Sequence, residues 1–167
     1  MVLNERKGNL FDLNKDIYYF AHCISADYEL GAGIAVQFQK RFKLKSTLKN
    51  IGSGTYPDLI TIDNVFNLVT KGKYWNKPTY KSITQCIKYM RDYCIKYNIH
   101  YLAMPKIGCG LDRLQWDKVR EIIKEHGGIV FEGEDLHSDS LDKSDVKEDI
   151  KTKESNTEKQ ENNKEEE

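Results

Sequence analysis

Twice in this chain a short, almost unbroken apolar run leads into a glycine loop and then into a helical pattern. Ile17-Tyr18-Tyr19-Phe20-Ala21-His22-Cys23-Ile24 is followed by Gly31-Ala32-Gly33, after which Ile34, Ala35, Phe38 and Phe42 fall on one helical face. Tyr101-Leu102-Ala103-Met104-Pro105 is followed by the loop Lys106–Asp112 and by a helix expected from about Leu114, with Trp116, Val119, Ile122 and Ile123 inward and Gly127-Gly128 as its stop. Runs so short and so evenly apolar read as strands covered on both faces, which requires helices on both sides of a sheet. Alternating strands and helices of this kind predict an α/β fold with a mixed sheet.

Between the two units, Leu59–Ile62 and Val65–Thr70 flank Asp63-Asn64 and predict a hairpin. The cluster Asn50–Gly54 and Pro57 reads as a break before it. A basic, aromatic connection, Lys71–Pro78, then enters the clearest helix. There Ile83, Cys86, Ile87, Met90, Tyr93, Cys94 and Tyr97 keep i, i+3, i+4, i+7 spacing, the mark of a face packed on a core.

Charge divides the chain. The whole carries 26 Lys+Arg against 26 Asp+Glu, but from Leu136 to Glu167 there are 11 acidic and 6 basic residues, almost no large apolar ones and no aromatics. That composition does not repay the entropy of ordering, so the expected organisation is a domain over 1–131 and a disordered, acidic tail over 132–167. The tail reads as a solvating appendage, with contact to basic partners such as histones as the alternative. A body of about 130 residues buries about two-thirds of its unfolded surface and needs no staples. The charges in Met1–Lys7 stand where a secretory signal has its apolar core, and no apolar run approaches the roughly 20 residues that span a bilayer. An intracellular protein without membrane contact is therefore expected. Cys23, Cys86, Cys94 and Cys109 show no CxxC pairing and no His at ligand spacing, so reduced thiols and no metal are expected. Cys109, between two glycines, is the one candidate among them for a functional role.

The two glycine loops suggest a site. Glycine permits positive φ and close backbone approach, and amides at the start of the following helix point into whatever crevice lies there. Open α/β sheets hold ligands beyond the carboxyl ends of their strands, so two such loops face to face are able to clamp a diphosphate without a metal. Neither loop matches GxxxxGK(S/T), which disfavours a P-loop nucleotidase, and Gly31-Ala32-Gly33 lacks the third glycine of a Rossmann fingerprint.

Several segments carry a more specific signal: Lys7-Gly8-Asn9-Leu10-Phe11, Ala21–Ser25, Gly31–Ala35, Lys77–Tyr80 and Pro105–Trp116. In order and spacing, from about Lys7 to Lys124, the chain resembles the macrodomain family, and within it the branch of terminal ADP-ribose protein glycohydrolases and O-acyl-ADP-ribose deacylases. The resemblance implies a three-layer α/β/α sandwich that hydrolyses ADP-ribose esterified to Glu or Asp of proteins. It places the nucleophile at Lys71, after Val69-Thr70, and the acid/base at Asp112. It implies adenine contacts from Asn9 and Leu10. Ser25, Gly31, Ala32, Gly33 and Ile34 are expected around the distal ribose and phosphates, with Lys106, Ile107, Gly108, Cys109, Gly110 and Leu111 around the diphosphate. It further implies no cofactor, mono-ADP-ribosylated proteins as partners, a monomer, and a nuclear role in removing ADP-ribose during the DNA damage response.

Read without the family, Lys71 is a solvated loop lysine, and Asp112 is a helix N-cap with Gln115 completing a capping box. The chemistry nonetheless suits the pair. A carboxylate of pKa about 4.3 is a good leaving group from an anomeric carbon. A neutral amine attacks that carbon once burial or a neighbouring cation such as Lys73 or Lys77 favours its deprotonated form. A carboxylate then shuttles the proton.

Two departures stand out. Asn9 replaces the family's usual Asp, which removes charge assistance at the adenine and predicts weaker recognition there. After the last helix only Ile129-Val130-Phe131 remains for a final strand, so that strand is either replaced by this run or missing. The rival functions are a non-catalytic ADP-ribose reader, an ADP-ribose-1″-phosphate phosphatase, and a nucleic-acid module. The last is disfavoured because the basic residues match no recognition motif.

Overall fold

The computed structural model describes residues 3–126 and 131–135. Six strands form one sheet: β1 (Leu3–Lys7), β2 (Tyr19–Ser25), β3 (Asp58–Ile62), β4 (Val65–Lys71), β5 (Leu102–Pro105) and β6 (Phe131–Asp135). Their order is β1-β6-β5-β2-β4-β3. All neighbouring pairs are parallel except β3–β4. The antiparallel pair is the expected hairpin, and Asp63 turns it with a φ of 51°.

Helices cover both faces. On one side, α1 (Ile34–Phe42), α2 (Lys45–Ile51) and the turn between them bring Phe38, Leu48 and Leu44 against Phe20, Ile24, Val65 and Val69. On the other, α3 (Tyr80–Lys96) and α4 (Trp116–His126) bring Ile83, Ile87, Met90, Val119 and Ile123 against Ala21, Phe66, Leu68, Leu102 and Met104. Strand residues alternate between the two cores because successive side chains leave opposite faces of a sheet. The fold is the three-layer sandwich with a mixed sheet that the sequence predicts.

Four local expectations need correction or extension. Strand β1 was not apparent, since Leu-Asn-Glu-Arg-Lys is polar; as an edge strand with one neighbour it needs little apolar surface. Helix α2 occupies chain read as approaching a break, and it buries only Leu48, too little to create a periodicity. The first core strand starts at Tyr19, two residues after the start of its apolar run. The final strand is present, pairing with both β5 and β1, and reaches Asp135, beyond the apolar run that suggested it. The segment expected to be a disordered tail lies, from residue 136 on, outside the described residues, as does the Gly127-Gly128 stop.

Helix α3 opens with a capping box. The Thr79 hydroxyl accepts from the Ser82 amide at 3.0 Å, and the Thr79 amide donates to the Ser82 hydroxyl at 3.1 Å. This fixes where the connection after β4 must end.

His22 ties three strands together inside the sheet. The Asn67 side-chain amide donates to the Ile60 carbonyl at 3.0 Å, which leaves Asn67 Oδ1 to accept from His22 Nε2 at 2.6 Å. The ring stacks on Phe38 with centroids 3.9 Å apart, and its Nδ1 has no partner among the described residues. Burial pushes its pKa from the usual 6.5 down to about 4, against the opposing pull of the Asn67 bond. The folded protein therefore keeps His22 neutral. Below pH 6.5 the unfolded chain binds a proton there that the folded chain refuses, so stability falls as the pH drops toward 4. The expected loss at pH 4.5 is about 2–3 kcal/mol, with no contribution above pH 7. Urea unfolding at pH 7 and 4.5 checks this: His22→Gln, though less stable, should lose less between the two pH values. Equal losses would rule out His22 as the origin.

Candidate active site

Because β1, β6, β5, β2 and β4 run parallel, their carboxyl ends share one rim of the sheet. Gly8 and Asn9 follow β1, the Lys106–Asp112 loop follows β5, Ala26–Gly33 follows β2, and Lys71 ends β4. The topology therefore gathers onto one edge every segment singled out in the sequence.

Lys71 and Asp112, 41 residues apart, meet there: Nζ donates to Oδ1 at 2.5 Å. The side chains are only 13% and 16% exposed. A local irregularity aims the lysine. Ile24 of β2 lies opposite Val69, but Ser25 lies opposite Lys71, so Thr70 is an extra residue in β4. Such a bulge bends a strand and redirects the side chain that follows it. The Ala26 amide then holds the Lys71 carbonyl at 2.8 Å. Reading Lys71 as a solvated loop lysine is thus corrected. Lys73 and Lys77, by contrast, are exposed.

Asp112 is not a helix cap. Helix α4 begins at Trp116, with Gln115 as the residue whose carbonyl receives the Lys118 and Val119 amides. The loop before it closes on itself instead: Arg113 N–H donates to Gly110 O and Leu114 N–H to Gly108 O. Those turns use the sequence positions that a capping box would have needed, and they leave the Asp112 carboxylate free to reach Lys71.

The two glycine loops do face each other. A β-carbon on Gly33 would lie 3.1 Å from the Leu111 side chain, and Gly33 adopts φ 60°, ψ −144°, a region open essentially to glycine alone. Gly31, Ala32 and Gly33 are exposed at the mouth, and Ile34 and Ala35 begin α1, where first-turn amides lack intrahelical acceptors. Across from them, Lys106, Gly110 and Leu111 are exposed while Ile107 and Gly108 are buried. The loop is thus pinned by its middle and open along its top.

Other predicted residues have structural engagements. Asn9 Oδ1 accepts from the Phe11 amide at 3.0 Å and so caps the 3-10 turn Leu10–Asp12. Leu10 is wholly buried in the core beneath. The Ser25 hydroxyl donates to Asp27 at 2.5 Å. Cys109 is half-buried, and burial pushes its thiol up to about 11, so it is not a thiolate nucleophile near neutral pH. Its Sγ donates to the Ile107 carbonyl at 3.3 Å.

Sequence reasoning missed Asp27. It accepts from Ser25, from the Glu29 amide at 3.3 Å and from the Tyr74 amide at 2.9 Å, joining the loop after β2 to the connection after β4. Burial alone would raise its pKa. The Ser25, Tyr74 and Glu29 hydrogen bonds and the Lys73 charge outweigh that and hold it below the usual carboxylate range. No spacing rule marks such a residue, because its partners come from two loops.

Among the described residues, no three His, Cys, Asp or Glu side chains gather as metal ligands, and no helix is long and apolar enough to cross a membrane. The rim offers backbone amides, one Lys–Asp pair and apolar Leu111, a set suited to an anionic ligand and a proton transfer.

No family model matches the chain. It is 39% identical over 141 residues to the Homo sapiens protein named ADP-ribose glycohydrolase OARD1, spanning 78% of this chain and 84% of that one. Among solved structures, the macrodomain of Thermus aquaticus DarG aligns with a TM-score of 0.69 at 18% identity, over 80% of this chain and 98% of that chain. Thermosipho africanus DarTG in complex with ADP-ribose aligns with a TM-score of 0.57 at 18% identity, over 86% of this chain and 44% of that one. The two structural likenesses speak to fold; the identity with OARD1 along most of both chains speaks to descent. On these grounds the chain belongs to the macrodomain family.

Proposed function

We propose that this protein binds ADP-ribose along the rim and hydrolyses it from the carboxylates of modified proteins, with Lys71 as nucleophile and Asp112 as acid/base. The observation that carries the reading is the 2.5 Å contact between Lys71 Nζ and Asp112 Oδ1, two nearly buried groups from distant parts of the chain, beside two glycine loops. The likeness to a protein named ADP-ribose glycohydrolase, and to one solved with ADP-ribose, supports the choice of ligand.

The chemistry follows from the pair. Asp112 accepts a proton from Lys71, freeing its lone pair. Nζ bonds to the anomeric carbon of the distal ribose, and the bond from that carbon to the acyl oxygen breaks, its electrons leaving with the carboxylate. Asp112 gives that proton to the departing carboxylate, then takes one from water as the oxygen adds to the same carbon and the carbon–nitrogen bond breaks, and returns it to the freed Lys71 amine. An O-acyl-ADP-ribose esterified at that same carbon is opened by the same steps. The diphosphate lies against the Gly31–Ile34 and Lys106–Leu111 backbones, and the adenine reaches Asn9.

The test is release of ADP-ribose from a glutamate-linked substrate by wild type, Lys71→Ala and Asp112→Ala. Release by wild type and by neither variant supports the mechanism. Binding without release by wild type makes the protein a reader, and undiminished release by both variants defeats the assignment.

Gly110 gives a separate check on the ligand's path. Its φ is not positive, and a β-carbon there would meet nothing within 4 Å. Gly110→Ala should therefore change stability by less than about 1 kcal/mol. A diphosphate pressed against this loop would meet the new methyl, so ADP-ribose affinity should fall at least about fivefold. Calorimetric titration beside a thermal melt decides it; unchanged affinity would remove the loop's open top from the binding path.

A further inference from the structure

The connection after β4 carries an exposed aromatic cluster that the proposed chemistry does not use. Tyr74 and Trp75 are 60% and 67% exposed and pack edge to face, with centroids 4.9 Å apart. Tyr56, 54% exposed, belongs to the same patch: a β-carbon on Gly72 would lie 3.2 Å from its ring, which thus rests on the backbone one residue beyond Lys71. Exposed Lys73 and Lys77 flank the rings. The patch is held firmly. The Tyr74 amide donates to Asp27, the Lys73 amide to Asn76 Oδ1 at 2.8 Å, and the Asn76 amide to the Lys73 carbonyl at 2.9 Å. Aromatic rings left in solvent on a fixed backbone beside a reacting centre are what a binding hot spot is made of.

The strand order says what reaches them. Along the rim come β1 with Asn9, then β6, then β5 with Lys106–Asp112, then β2 with Ser25, then β4 with Lys71, and last β3. On the reading above, adenine lies at the β1 end and the distal ribose at Lys71. Whatever is attached to that ribose leaves the site beyond β4. There it meets 72–77 and Tyr56, which precedes antiparallel β3 and so sits at the same rim.

We infer that Tyr56, Tyr74 and Trp75, with Lys73 and Lys77, form the docking surface for the polypeptide that carries the ADP-ribose, and that the surface favours an acidic segment around the modified residue. This inference rests on the hydrolase reading. The two lysines supply charge complementary to carboxylates near the linkage, and the rings supply apolar contact for the backbone and side chains beside it. A single nucleic-acid strand fits less well, since Tyr74 and Trp75 meet edge-on rather than as parallel platforms for successive bases.

The experiment uses the full chain and three substrates: a glutamate-linked ADP-ribosyl peptide with acidic flanks, the same peptide with neutral flanks, and ADP-ribose acetylated at the anomeric hydroxyl, whose leaving group is too small to reach the patch. For the Tyr74→Ser/Trp75→Ser double variant, kcat/KM on the acidic peptide should fall about tenfold relative to the acetyl ester. For Lys73→Ser/Lys77→Ser, the preference for acidic over neutral flanks should shrink about threefold to tenfold and depend on salt. Equal loss on peptide and acetyl ester, or no loss on peptide, overturns the inference. So does a variant that keeps peptide turnover while losing affinity for a single-stranded oligonucleotide. If wild type cleaves none of the three, the hydrolase reading fails on its own, and binding decides the patch. Wild type should then hold the peptide at least about fivefold tighter than free ADP-ribose and the aromatic double variant should not; equal affinities overturn the inference.

Discussion

Lys71→Ala is expected to slow release of ADP-ribose from a glutamate ester at least about a thousandfold under saturating, single-turnover conditions, since it removes the proposed nucleophile outright. The fold should survive, because the lysine sits at a strand end and its backbone, which anchors Ala26, is unchanged. Substrate affinity should weaken modestly, since the variant leaves the Asp112 carboxylate, 16% exposed, without its cation near the proposed diphosphate path. Saturation separates that effect from chemistry. Asp112→Asn, which keeps the shape and removes the charge, should cost about a hundredfold to ten-thousandfold, the range for a lost acid/base. Because the two residues act on one proton and one carbon, the double variant should be little worse than Lys71→Ala alone. Independent, multiplying losses would mean that the pair does not work as a unit.

Gly108→Ala should be the most damaging change to the fold among the glycines of the two loops that flank the site. Gly108 has a φ of 74°, and a β-carbon there would lie 2.5 Å from Ile83 Cδ1 and 3.0 Å from Leu114 Cδ1. Ile83 is itself 1% exposed, so it has no solvent to swing into. Left-handed backbone on a non-glycine residue costs about 1–2 kcal/mol, and overfilling a packed core about 1–3 more. A total of about 2–5 kcal/mol is expected, which lowers Tm by about 6–20 °C in a domain of this size. Thermal and urea unfolding measure it directly. A shift under about 2 °C would show that the loop gives way around the methyl, and that its rigidity does not come from Ile83 and Leu114. Gly110→Ala, two residues on, is the natural control, because the same chemical change there meets open space.

These two sites mark what was legible beforehand. Helix α3 was readable because Ile83, Cys86, Ile87, Met90 and Cys94 repeat at the helical period and are all buried. The hairpin was readable because Asp63-Asn64 interrupts two β-prone runs, and β5 because four consecutive buried residues leave no other element of that length. Strand β1 and helix α2 were not. Each buries too few side chains to imprint a pattern, and each is held by neighbours that lie far along the chain. Assigning Asp112 to a helix cap followed from sound local spacing, yet two loop turns displaced the helix start to Trp116 and gave the carboxylate a different partner.

The order of amino acids alone thus determined the periodicities, the glycines and the apolar strands, all of which depend on residues within a few positions of one another. It therefore determined the layers of the fold and the loops that flank the site. Only the tertiary structure decided that Lys71 is shielded and paired rather than solvated, that Gly33 faces Leu111, and that Asp27 joins two loops. Desolvation and pairing are properties of distant segments brought to one rim by parallel strands, and no local pattern of residues carries that distance.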